Sequence, residues 1–182
     1  MALNKQRASL IFGVLAMIGL VVGTFLQGGS LAQKLLFLIG AIALTVLAYL
    51  NKLKMFMVIE IVVSLSAILA FVNMAMQLKY LILIGASIVG VGYLIKINFF
   101  KEDKWWPIGG LGLLLIAAGL ATDATAYPFL FNLFLGLGGI FVAIYSAIGF
   151  FLLKVKIALI WLILNIFFSI SPMMAVFSKL LG

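Results

Sequence analysis

Residues 106–153, WPIGGLGLLLIAAGLATDATAYPFLFNLFLGLGGIFVAIYSAIGFFLL, hold two apolar runs, Trp106–Thr122 and Pro128–Leu153. A short turn around Asp123, the one charged residue of the stretch, parts them. A helix needs about 20 mostly apolar residues to cross roughly 30 Å of hydrocarbon. At that depth no water serves the backbone, so only α-helices or closed barrels span a bilayer. Neither run alternates apolar with polar residues as a barrel strand does. Both therefore read as helices, antiparallel across a tight turn. Working outward, the same signature recurs and predicts seven spans: Ser9–Leu26, Leu35–Leu50, Met55–Met76, Tyr80–Ile97, Trp106–Thr122, Pro128–Leu153 and Ile157–Leu180.

The composition agrees. Of 182 residues 67% are hydrophobic and 9% charged, with mean hydropathy +1.40, where a soluble domain carries roughly 25% charged residues on its surface. The expected fold class is an all-α integral membrane protein forming a single transmembrane domain, residues 1–182. No connection is long enough for a soluble domain. Lys5 and Arg7 ahead of the first apolar run resemble a secretory signal, but that run belongs to an internal repeat and reads as a span.

The net charge is +8, and its placement points to topology and lipid rather than nucleic acid. Lys5, Arg7, Lys52, Lys54, Lys96, Lys101, Lys104, Lys154 and Lys156 fall on one side of the seven spans, and Lys34, Lys79 and Lys179 on the other. Short cytoplasmic loops carry the excess of Lys and Arg, so the N-terminus is expected in the cytoplasm and the C-terminus outside. Lysines there also meet anionic headgroups. Trp105, Trp106, Trp161, Tyr49, Tyr93 and Tyr145 fall near cytoplasmic helix ends, where an interfacial aromatic belt is the first reading and a ligand cage the second.

The repeat has an offset of 96 residues: Gly13 pairs with Gly109, Gly23 with Gly119, Gly40 with Gly136 and Tyr49 with Tyr145. Ala16 against Gly112 and Ala43 against Gly139 are small-for-small matches. A weaker copy repeats Leu38-Ile39-Gly40-Ala41 as Leu83-Ile84-Gly85-Ala86, with Ser64 and Ser66 where its first helix lacks glycines. The expected unit is a two-helix hairpin present three times in parallel, about 7–54, 55–101 and 104–154, followed by one extra helix, 157–180. In lipid, small residues let helix backbones approach. Gly13, Gly19, Gly23, Gly40, Gly85, Gly109, Gly112, Gly119, Gly136 and Gly139 are therefore candidate packing positions.

These hairpins, RASLIFGVLAMIGLVVGTFLQGGSLAQKLLFLIGAIALTVLAYL and WWPIGGLGLLLIAAGLATDATAYPFLFNLFLGLGGIFVAIY, show a basic or aromatic start, a Gly-rich first helix, a short polar turn and an early Gly in the second helix. Over roughly residues 7–154 the chain resembles the HdeD-type short-repeat membrane proteins. The resemblance implies a role in bacterial acid resistance and carries no catalytic motif. The first copy lacks the turn Pro, the middle copy lacks the glycines, and the seventh span lies outside the pattern.

Cysteine and histidine are absent. That excludes disulfides, thiolate nucleophiles, Cys/His metal sites and imidazole chemistry. The acids are Glu60, Glu102, Asp103 and Asp123. No phosphate-loop, zinc-protease or serine-hydrolase signature occurs. No enzyme activity, cofactor or metal is expected. Intramembrane polar groups are the default functional candidates, here Glu60, Asn165, Ser169 and Ser171. Glu60 reads either as an interfacial carboxylate paired with Lys52 or Lys54, or as a proton- or cation-coupled site. Asn165 and the serines beside Pro172 read first as interhelical hydrogen-bonding groups and second as ligands of a small solute. Asn73 and Asn132 read as interface residues.

Two functions fit: a structural or accessory membrane protein, as a stress-response component or a subunit of a larger complex, and a transporter or channel for a small solute, ion or proton. Membrane lipid, with other membrane subunits or further copies of the chain, is the expected partner. The expected location is a prokaryotic plasma membrane.

Overall fold

In the computed structural model the described residues are 2–97, 99–101 and 103–181; Glu102 lies outside them, as do the side chains of residues 2–6, 59 and 100. Seven helical rods follow one another among the described residues. The first, α1, runs through Ala2–Met17, a π-helical turn Ile18–Val22 and Gly23–Phe25; α2 is Leu31–Leu50, α3 Lys54–Leu69, α4 Met76–Lys96, α5 Trp106–Ala121, α6 Pro128–Phe151 and α7 Ala158–Leu181. Five segments, Arg7–Phe25, Leu31–Leu50, Met76–Lys96, Pro128–Phe151 and Ala158–Leu181, are long and apolar enough to cross a membrane. They mark the chain as a helical membrane protein. The other two, α3 and α5, have 16 residues each, about 24 Å at 1.5 Å per residue.

Local chemistry sets several ends. Ser30 caps α2 by accepting from the Gln33 N–H at 3.2 Å, which meets one of the orphan amides of a helix start. Pro107 and Pro128 open α5 and α6 at first-turn positions, where the missing N–H costs nothing. The third helix ends at Leu69, earlier than the predicted Met76. Residues 70–75 stay apolar enough to look like helix by hydropathy, yet they form the turn into α4.

The rods do not pack alike. Helices α1 and α2 form one close pair, α5 and α6 another, and α7 lies against α6 and touches α1. Helix α3 packs on α2 and α5, while α4 rests lightly on α3 and α5. The glycines explain the close pairs. A Cβ on Gly19 would stand 2.6 Å from the Leu36 carbonyl oxygen, and one on Gly112 2.8 Å from the Val142 nitrogen. Gly23, Gly40, Gly109, Gly119 and Gly136 would each drive a Cβ into Phe37, Leu20, Tyr145, Leu135 and Met173 respectively, and Gly139 abuts Ser169. Gly13 makes a looser contact with Ile160. Gly85 departs from the expectation: nothing lies within 4 Å of its Cβ position. It sits on α4, whose membrane-length stretch is only 11% buried, so its small size brings no backbone closer.

Candidate functional site

Glu60 lies six residues into α3, roughly 9 Å from its start at helical rise, and is 0% exposed. It does not reach the interface, because its face of α3 turns inward onto α7. Its Oε1 accepts a hydrogen bond from Trp161 Nε1 at 3.3 Å. Its Oε2 and the Ser146 hydroxyl are buried without a hydrogen-bond partner. One turn before Glu60, the Phe56 ring stacks between Trp161, centroids 4.8 Å apart, and Tyr145, 5.2 Å apart.

Trp161 and Tyr145 therefore correct the interfacial-belt reading. Trp161 is fully buried and Tyr145 is 6% exposed. The Tyr145 hydroxyl donates to Asp103 Oδ2, and Asp103 Oδ1 accepts from the Trp105 N–H at 2.8 Å. This pins the α4–α5 connection to α6. Tyr49, the repeat counterpart of Tyr145, is 69% exposed, so the two positions do different work. Tyr93 is also exposed, and Trp105 and Trp106 are half-buried.

The four candidate polar residues do not converge on one point. Asn165 Nδ2 donates to the Trp161 carbonyl at 2.8 Å, which ties it to the residue that holds Glu60. Ser169 donates to the Ile166 carbonyl at 3.0 Å. Both bond within α7 rather than across helices. Ser171, like Glu60, reaches another helix: its hydroxyl donates to the Thr24 carbonyl of α1 at 3.0 Å. Asn132 turns back on the Pro128 carbonyl.

Two cavities flank α3. One, about 250 Å³, opens at the end that carries Lys52 and Lys54 and reaches Phe56, Asp103, Tyr145 and Ser146. The other, about 520 Å³, lies at the opposite end among Lys34, Asn73, Lys79, Thr122 and Asp123. Asp123 Oδ1 accepts from the Thr125 hydroxyl, the Thr125 N–H and the Ala126 N–H at 2.6, 2.9 and 3.3 Å. Those bonds, with the nearby Lys34 charge, hold its carboxyl below the usual range. A third cavity, about 770 Å³, is almost wholly apolar and runs along α4 from Tyr80 to Ile95 against α5. Among the described residues no three acids gather as a metal site would require.

Compared with known protein families, with curated proteins and with solved structures, the chain matches none.

Proposed function

We propose that this protein is a seven-span carrier of a prokaryotic plasma membrane, N-terminus in the cytoplasm, that moves a small solute with Glu60 as its proton- or cation-coupled centre. The observation that carries this is the state of Glu60: fully buried, held by one indole N–H, with its second oxygen unpartnered. A lone carboxyl in such a setting is tolerable only when a proton or cation matches its charge. Position supports the same reading. Helix α3 borders one cavity through Lys54, Met55 and Phe56, and α5 borders the other through Leu120 and Ala121, with Glu60 one turn beyond Phe56.

Helix arrangement supports it too. Helices α2 and α6 both leave through a lysine of positive φ, Lys52 at 56° and Lys154 at 57°, each followed by a second lysine two residues on. With α3 on α2 and α5, and α7 on α6 and α1, we read two parallel three-helix units joined by the loosely held α4. Glu60 and Trp161 sit on the third helix of each unit. Coupling sites of transporters built from parallel or inverted repeats lie at such an interface.

The test is charge movement. A pH jump applied to proteoliposomes on a solid-supported membrane is expected to give a transient current with the native chain. Glu60→Gln loses it and Asn132→Ala keeps it. Equal currents from the native chain and Glu60→Gln would remove the reading.

The accessory-subunit reading has one observation of its own, the exposed apolar face of α4 with open space at Gly85 and Gly92. Purification in mild detergent with a stoichiometric partner protein would favour it, as would an acid-survival defect unaffected by Glu60→Gln.

A further inference from the structure

Helix α4 rests only lightly on its neighbours and leaves a groove between itself, α5 and α6. The groove, about 770 Å³, is walled by Leu83, Ile84, Ile88 and Ile95 of α4, Ala118 of α5 and Phe134 of α6. Ser87 also lines it, but its hydroxyl already donates to the Leu83 carbonyl at 2.7 Å. From Tyr80 to Ile95 the groove runs about 22 Å at helical rise, most of the roughly 30 Å of a bilayer core. Its volume spread over that length gives a cross-section of roughly 35 Å². A helix of about 10–12 Å diameter fills roughly 80–110 Å². The groove therefore takes extended hydrocarbon chain and no helix.

At one end the groove meets charge. Thr122 donates to the Ala118 carbonyl at 2.8 Å, so the Tyr80 hydroxyl is the donor in the 2.7 Å bond that joins it to Thr122 Oγ1. Tyr80 and Ala118 line the apolar groove, while Lys79 and Thr122 line the polar vestibule of about 520 Å³. The Tyr80–Thr122 bond is thus the seam between a hydrocarbon space and a charged one. The charged residues around the vestibule are Lys34, Lys79 and Asp123. The Lys34 charge acts on both of the others. Asp123 is exposed, and the three hydrogen bonds it accepts all fall on Oδ1, so its second oxygen can face a cation. Both signs of charge stand at the mouth. A matching guest brings an anion to the lysines, a cation to Asp123 and a long apolar tail to the groove.

We infer that groove and vestibule together bind one phospholipid with an amine-bearing headgroup, of the phosphatidylethanolamine class. An acyl chain lies along α4, the phosphate meets Lys34 and Lys79, and the ammonium group meets Asp123. This goes beyond general contact with the bilayer, because it needs both signs of charge beside one groove. It does not depend on the carrier reading.

The probes are dioleoyl phosphatidylethanolamine, phosphatidylcholine and phosphatidylglycerol, added to the full chain in detergent and read by native mass spectrometry. Phosphatidylethanolamine is expected to bind saturably, one per chain, and most tightly of the three. The choline headgroup keeps the charges but has no N–H for Asp123, and the glycerol headgroup brings no cation. Lys79→Gln is expected to weaken binding about fivefold, the scale of one lysine at a lipid surface. Asp123→Asn is expected to abolish the preference for ethanolamine over choline. Gly92 lines the groove with nothing within 4 Å of its Cβ position, so Gly92→Leu fills the groove without a clash at Cβ and is expected to lose the lipid. Gly85, equally open but outside the lining, provides the control: Gly85→Leu keeps it. Equal binding of the three lipids, full affinity in Gly92→Leu, or full affinity in both Lys34→Gln and Lys79→Gln overturns the site. Tighter binding of phosphatidylglycerol than of phosphatidylethanolamine overturns the headgroup assignment. A lipid-free dimer that Gly92→Leu dissociates would give the groove to a second copy instead and also overturns the proposal.

Discussion

Replacing Gly19 by Ala adds one methyl group at the tightest approach between α1 and α2. Its Cβ would lie 2.6 Å from the Leu36 carbonyl oxygen, 2.9 Å from the Gly40 nitrogen and 3.0 Å from the Gly40 Cα. All three neighbours are backbone atoms, so no rotamer change relieves the clash. The helices must part by several tenths of an ångström, and the contacts of Leu20 and Phe37 loosen with them. Overpacking of this kind costs about 1–3 kcal/mol. The helix preference of Ala over Gly returns up to about 1 kcal/mol, which leaves a net loss of roughly 1–2 kcal/mol. Gly85→Ala is the internal control: with nothing within 4 Å of its Cβ, only the propensity gain remains, about 0.5–1 kcal/mol. Unfolding by SDS titration in mixed micelles, followed by helical circular dichroism, separates the two. The reasoning is refuted if Gly19→Ala matches the native midpoint, or if Gly85→Ala loses as much stability as Gly19→Ala.

Single contacts set the other expectations. Trp161→Phe removes the donor to Glu60 Oε1 and is expected to cost about 1–3 kcal/mol in the same titration, because a buried acceptor is left unmatched; in the Glu60→Leu background the same change should cost clearly less. Tyr145→Phe cuts the tie to Asp103, so a cysteine placed at Gly149, in a chain that has none of its own, should react faster with a water-soluble thiol reagent. For Asp123, a folded-state pKa held below its usual value means the loop gains order above the unfolded value and loses it as pH falls through the folded one. Protease cleavage around Thr125 in an acid-stable assay should therefore rise only below the usual carboxylate range, and Asp123→Asn should show raised cleavage at neutral pH. Single cysteines at Lys104 and Thr125 should label from opposite faces of sealed right-side-out vesicles, the first only after permeabilisation; labelling of both from one face would end the proposed topology.

Helix number and placement were legible because hydropathy is a property of consecutive residues. Five of the seven runs begin and end within a few residues of the rods; the first misses the N-terminal extension of α1, and the third overran because the turn after it is itself apolar. The glycines at close approaches were legible for the same local reason: an interior helix glycine without a turn role points to contact. The buried cluster was harder to see. Trp161, Leu164, Asn165, Phe168, Pro172 and Val176 recur at intervals of three and four and are all buried, so the periodicity marked the inner face of α7. Trp161 nonetheless reads as interfacial from its place one turn into the helix, since amphipathic rings prefer the membrane surface. Ser146 and Asp103 carried no sequence signal of any kind.

Taken alone, the sequence determined that this is a chain of apolar helices, most of their turns, and many but not all of the glycines at which they touch, Gly85 being open and Gly138 and Gly90 close without having been expected to be, because these depend on residues near one another along the chain. Only the tertiary structure decided that Glu60 faces Trp161 across two helices, that Tyr145 is latched to Asp103 while Tyr49 lies open, and that the Ser146 hydroxyl is buried without a partner. Those facts depend on which helix faces meet, and in a chain this uniformly apolar, hydrophobicity does not choose among faces. The fit of small against large side chains does.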